Sequence, residues 1–129
     1  MKKLTIVALV VAFLLPAPPA EAWSSSQRCP VYEQTLVKYQ PVGGWDVRKM
    51  SYVMWRESRC QPEAISTTHD HGLLQVNRIN FRYLAAKFRV PLSKMATWLK
   101  VPVNNVRAAA ALCTYARRAW GNCYRPWRL

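Results

Sequence analysis

Four cysteines, Cys29, Cys60, Cys113 and Cys123, constrain this 129-residue chain more than any other feature. No two stand in a C-x2-C pair, the close spacing that cysteine zinc sites use. The alternative is two disulfides, which need an oxidising compartment, and the N-terminus predicts one. "MKK" is a short basic start, Leu4 to Leu15 is a largely apolar run, and "PAPPAEA" ends with Ala20 and Ala22 at the small-residue positions of a cleavage site. This reads as a secretory signal peptide over residues 1–22. The apolar run falls short of the roughly 20 residues that span a bilayer, and no later segment is long and apolar enough to do so. Residues 23–129 are then one small domain with little core to spare. Three cysteine pairings are possible, and the spacing does not choose among them.

Charge narrows the surroundings. Nineteen Lys and Arg stand against six Asp and Glu, a formal net charge of +13. Such a cation is drawn to polyanions. For an exported chain, anionic lipid or an acidic wall polymer is a nearer partner than nucleic acid, and no nucleic-acid recognition motif is present. Arg117, Arg118, Arg125 and Arg128 are expected on a solvated basic face.

There is no internal repeat, low-complexity tract or linker after the leader. Residues 30–39 pattern as a helix, and "PVGGW" breaks the chain. Asp46 is placed to cap a helix running to Cys60. "QPEAISTTHDHG" reads as a polar loop and "LLQVN" as a short strand. Residues 78–89 pattern as a helix closed by Pro91, and Ser93 is expected to cap a short helix through Leu99. A last helix is predicted over 106–120, capped by Asn104 or Asn105 and stopped by Gly121. Its apolar stripe is Val106, Ala109, Ala110, Cys113, Ala116 and Trp120, with alanines that let a neighbouring helix come close. Trp98 and Trp120 are expected in the core.

One acid is out of place. At about 100° per residue, Glu57 falls on the apolar arc of its helix, between Val53 and Met50 with Met54 beyond. Arg48, Lys49, Arg56 and Arg59 fall on the opposite face. Burying an ionised carboxylate is costly, and desolvation favours its protonated form. A carboxyl kept protonated near neutrality can serve as a general acid. The plainer reading is a structural ion pair with one of the many arginines.

The residues that follow carry a resemblance. Glu57-Ser58 leads to Pro62, Ala64 and Ser66, and then to Gly72-Leu73-Leu74-Gln75-Val76-Asn77. This resembles the soluble lytic transglycosylase pattern E-S, P-x-A-x-S, G-L-x-Q-V. Asp70, Gly72, Leu74, Gln75 and Asn77 also resemble the D-x-G-x-L-Q-x-N stretch of lysozymes. "NNVRAAAAL" and "AWGNCYRPW" are similar to the closing helix and tryptophan-rich tail of transglycosylase domains, so the likeness covers about residues 45–127. It implies an α+β, predominantly α-helical, lysozyme-like fold with a small β/loop region after the catalytic helix.

The resemblance also implies a chemistry, with the glycan strand of peptidoglycan as substrate. Glu57 matches the catalytic acid. Ser58 matches a residue that orients the acid or the sugar, and Gln75 and Asn77 match cleft residues that hold the glycan. Tyr115 matches a tyrosine that reaches towards the acid. Asp70 matches the second carboxylate of lysozymes loosely, being closer in sequence to the acid than in the chicken-type enzymes. By analogy with lysozymes, the disulfides are expected as Cys29–Cys123 and Cys60–Cys113. If Asp70 faces the cleft, hydrolysis is open to it. If not, the sugar closes on itself to a 1,6-anhydro end, and the fit to E-S-x3-P-x-A-x-S favours this route.

His69 and His71 flank Asp70, but adjacent loop residues rarely face one ion. The expectation is no metal and no cofactor, with a histidine at the cleft rim. A monomer is expected, with the basic surface free for anionic wall polymer or lipid. A non-catalytic cationic wall binder is the competing function.

Overall fold

A computed structural model describes residues 24–129, so the expected signal peptide lies outside the described residues. Among the described residues, five α-helices and one hairpin form: α1 (Pro30–Gly43), α2 (Val47–Ser58), β1 (Asp70–His71), β2 (Val76–Asn77), α3 (Phe81–Phe88), α4 (Met95–Leu99) and α5 (Pro102–Trp120). Short 3-10 turns precede α1, α3 and α4, and another, Arg125–Trp127, ends the chain. The strands pair antiparallel, with Asp70 opposite Asn77 and His71 opposite Val76. The expected α+β, mainly helical, lysozyme-like class is what forms.

The helix ends follow local chemistry. The Asp46 carboxylate accepts the Lys49 N–H at 2.8 Å and caps α2, an interaction worth about 1 kcal/mol. Gly121 ends α5 at φ 72°, its N–H bonded to the Arg117 carbonyl. The start of α5 differs from expectation. Pro102 occupies its first turn and Val101 precedes it, so neither Asn104 nor Asn105 is the cap. Proline is preorganised for that first position and loses no hydrogen bond there. Ser93 caps nothing either: it lies within the 3-10 turn Leu92–Lys94, and α4 follows directly.

Helix α5 is the central element, with two buried faces. Val106, Ala109, Ala110 and Cys113 join Leu36, Trp45, Met50, Val53, Met54 and Trp127 in one core. Ala108, Ala111 and Leu112 join Val76, Phe81, Leu84, Met95 and Leu99 in a second. The small alanine side chains let α1 pack close, and Thr114 and Arg117 donate to the Val42 and Gly43 carbonyls at the end of α1. The tryptophan expectation needs correcting. Trp120 is 50% exposed and Trp98 only partly buried, whereas Trp45 and Trp127 are the buried pair. The last turn of α5 runs past the core, and Arg125 lies over the Trp120 ring at 4.9 Å.

The disulfides are Cys29–Cys60 and Cys113–Cys123, not the lysozyme-type pairing. The cause is the exit from α2. Arg59 and Cys60 both take positive φ, 53° and 62°, which turns Cys60 back towards Cys29, with Cα atoms 5.6 Å apart. A left-handed non-glycine residue costs about 1–2 kcal/mol, and the covalent link holds this turn in place. The second bridge fastens the C-terminal tail to α5.

Candidate active site

Glu57 lies in the last turn of α2, where the apolar stripe runs out. The expected burial is incomplete: the carboxylate side chain is 25% exposed and ion-paired with Arg56, Nη2 to Oε1, at 2.6 Å. Arg56 also donates to the Trp127 carbonyl at 2.5 Å. The wheel set Arg56 on the far face, but its long side chain reaches round to the acid. Arg56 thus ties the acid-bearing helix to the C-terminal tail.

The opposite wall is the hairpin. Asp70 accepts hydrogen bonds from Ser66 Oγ at 2.6 Å and Thr68 Oγ1 at 2.5 Å, both on Oδ2. Asn77 Nδ2 donates to its Oδ1 at 2.8 Å. Burial pushes the Asp70 carboxyl up, but these three donors and the neighbouring His71 outweigh it and hold the group below its ordinary value of 3.8. Hydrogen bonds to the charged form favour it. Asp70 is therefore a fixed negative charge with most of its acceptor capacity engaged.

The hairpin itself hangs on one buried residue. Asn105 accepts the Leu74 N–H at 2.8 Å and donates to the His71 and Leu99 carbonyls at 2.9 and 3.0 Å. It has no exposed surface. Gly72, at φ 76°, lies against it, and a Cβ there would collide with the Asn105 amide and the Leu99 carbonyl. Only glycine fits that close approach. Trp127 adds a second tie, its indole N–H donating to the Leu74 carbonyl at 2.7 Å.

Between these walls lies a groove of about 510 Å³, lined by Arg56, Glu57, Asp70, Gln75, Asn77, Pro126, Trp127 and Arg128. The structure thus brings Glu57, Asp70, Gln75 and Asn77 to one cavity. Gln75, at φ 46°, donates its amide to the Ala64 and Gly72 carbonyls. Asn77 donates to the Thr68 carbonyl and accepts from Ile79 N–H. These two amides shape the groove wall. Ser58 is elsewhere: it is buried, its hydroxyl bonded to the Met54 carbonyl at 3.0 Å. Tyr115 is also outside the groove lining. It is 54% exposed and packs against Tyr83 and Trp120.

Four lining residues escaped the sequence reading: Arg56, Pro126, Trp127 and Arg128. The "RPW" run of the tail was the available signal. Three consecutive lining residues at the chain end follow from the Cys113–Cys123 tether and the buried Trp127. A histidine was expected at the cleft rim, but His69 and His71 both line a different cavity behind the hairpin. Among the described residues, no group of three His, Cys, Asp or Glu is placed to hold a metal ion.

Comparison with known proteins agrees with this geometry at the level of family. Neither the curated proteins nor the solved structures compared give a match. The family model "Transglycosylase SLT domain" matches residues 39–127, from the end of α1 to the groove-lining tail. The matched stretch is most of the chain and contains both groove walls, so this protein belongs to the transglycosylase SLT domain family, with peptidoglycan degradation of the lytic transglycosylase type as its activity class.

Proposed function

We propose that the protein is exported and cleaves the β-1,4 bond between N-acetylmuramic acid and N-acetylglucosamine, with Glu57 as the one proton-transferring group. Glu57 protonates the bridging oxygen as the bond to the muramic acid C1 breaks, giving an oxocarbenium-like transition state. The muramic acid C6 hydroxyl then attacks C1, and the Glu57 carboxylate takes its proton. The product is a 1,6-anhydromuramoyl end, and Glu57 returns to its starting protonation state. Arg56 already touches the Trp127 carbonyl, so it has a second partner to hold while Glu57 engages the sugar.

The observation that carries this route is the state of Asp70. Both of its oxygens are engaged by Ser66, Thr68 and Asn77, and its pKa is lowered. A low-pKa carboxylate is a poor base for activating water. It can still stabilise the cationic transition state from across the groove. A second reading, hydrolysis with Asp70 as the partner carboxylate, draws on one fact: Asp70 lines the same groove as Glu57.

Mass spectrometry of muropeptides released from purified sacculi decides among these. Anhydro ends are the expected product. Reducing ends would overturn the route in favour of hydrolysis with Asp70. No new ends at all would leave only a cationic wall-binding protein.

A further inference from the structure

From His71 to Leu129 the sequence has no Asp or Glu, while eleven Lys and Arg stand in the same stretch. Helices α3, α4 and α5 and the tail all fall inside it, so every charged side chain they bring to the surface is a cation. Large apolar groups are left in water on that surface too. Tyr83 of α3 packs on Tyr115 of α5 with ring centroids 6.3 Å apart, and Tyr115 meets Trp120 edge-on at 5.6 Å. All three rings are exposed, Tyr83 by 44%. Ile79, four residues before Tyr83 in the turn that leads into α3, is 85% exposed. Exposed apolar side chains standing singly are ordinary, but a contiguous set marks an interaction site. Cations border the set. Arg125 lies over the Trp120 ring. Lys87 is one helical turn from Tyr83 and Arg118 one turn from Tyr115, and both are exposed. Among the described residues, none of these three cations forms an ion pair.

Anionic partners differ in what they ask of such a face. Sugars and unpaired bases stack on the faces of rings. Here the rings are tilted by 51° and 80° to one another, so they offer no common plane, and Ile79 has no face to stack on. A phosphodiester polymer engages the cations and leaves Ile79 in water. An anionic bilayer engages every part: its head groups meet the cations, its interface takes Tyr and Trp, and its acyl boundary takes the isoleucine. We propose that the α3–α5 face, with Ile79, Tyr83, Tyr115 and Trp120 at its centre and Lys87, Arg118 and Arg125 around them, docks the protein on an anionic lipid surface. Among the described residues no helix is long and apolar enough to cross a membrane, so this is docking at the surface. It is separate from the cleavage chemistry, since none of these seven residues lines the groove.

Co-sedimentation with vesicles tests it, on the chain from Trp23 onward, which holds both cores and both disulfides and leaves out the apolar leader. Vesicles of phosphatidylglycerol and phosphatidylcholine in equal parts should bind it, and vesicles of phosphatidylcholine alone should bind it more than about tenfold more weakly. Lys87→Gln/Arg118→Gln should weaken binding to the mixed vesicles by about 25-fold, about fivefold for each cation lost beside a charged surface. Ile79→Ser/Trp120→Ser should weaken it by about tenfold, with circular dichroism unchanged because both side chains are exposed. Equal binding to the two kinds of vesicle would overturn the proposal, and so would unchanged binding of either folded double variant.

A second measurement separates insertion from adhesion. Lipid brominated on its acyl chains should quench the tryptophan emission of the bound protein. Trp120→Phe, which keeps a ring at that place, should still bind and lose most of the quenching. Quenching that survives in Trp120→Phe would put another tryptophan in the lipid and refute this face. Binding without quenching in wild type would mean that cations alone adhere, and would refute it equally. The same variants are compared on an oligothymidylate and on purified sacculi. If Ile79→Ser/Trp120→Ser weakened either of these and left the vesicles unaffected, the face would belong to stacked bases or sugars, and the lipid assignment would fall. No step of this reads cleavage, so failure of the proposed reaction would leave the result standing.

Discussion

The two walls of the groove hold their carboxylates in opposite ways. Glu57 has one charged partner, Arg56, which it shares with the Trp127 carbonyl. Asp70 has three neutral donors from its own loop and hairpin, Ser66, Thr68 and Asn77. The first arrangement can be undone by one side-chain rotation. The second is tied to backbone that Asn105 and Gly72 fix. An acid that must exchange protons with a substrate needs a replaceable partner. A charge that only faces a developing cation is better held still. On the proposed route the difference is a division of labour, with proton transfer on the helix side and electrostatic stabilisation on the hairpin side.

The severest way to break this comparison is Glu57→Gln. It keeps the shape of the side chain and removes the proton. General acid–base groups contribute about 10²–10⁴-fold, so release of muropeptides from sacculi should fall by about 10³-fold with circular dichroism unchanged. A folded variant with near-wild-type turnover would remove Glu57 from the chemistry. Asp70→Asn comes next. If Asp70 acts only as a fixed charge, turnover should fall by about tenfold, and the products should still be anhydro ends. A loss as complete as that of Glu57→Gln, in a variant that keeps its fold, would make Asp70 a chemical partner and the two walls alike.

Much of this was legible in the chain, for local reasons. The Asp46 cap and the Gly121 stop depend on a few consecutive residues, and both form. The E-S to Q-V-N stretch placed Glu57, Asp70, Gln75 and Asn77 together because two short elements bring them to one cavity. The wheel position of Glu57 was informative in a different sense from burial. An acid on the apolar stripe of a helix end marks where the core gives way to a groove. The misses are long-range. Asn105 looked like a cap because Asn commonly is one, but it is an interior pin whose three partners lie outside its own helix. The cysteine pairing depended on the left-handed turn at Arg59 and Cys60, which no local propensity predicts. Trp120 looked buried because it shares a stripe with Cys113 and Ala116, yet the helix outlasts the core it packs against. Arg56 was set on the wrong face because a wheel places Cα atoms, whereas a guanidinium reaches several ångströms further.

The gentlest test reads the hairpin through its stability against pH. Both groups that β1 carries have pKa values lowered by folding, Asp70 from 3.8 and His71 from 6.5. The fold therefore binds fewer protons at these sites than the unfolded chain, and stability rises with pH across each window. The His71 contribution is complete above about 6.5, starts to fade as pH drops below that value, and is lost as pH passes the lower folded value. The Asp70 contribution is complete above about 3.8 and fades below it in the same way. Thermal midpoints measured from pH 8 to pH 3 should decline in two separate stages. His71→Gln should flatten the upper stage alone, and Asp70→Asn the lower alone. If Asp70→Asn instead flattened the upper stage, the two faces of the hairpin would titrate as one unit. The rigid charge lining the groove would then depend on the ring lining the other cavity, and the two walls of the groove could not be treated as independent.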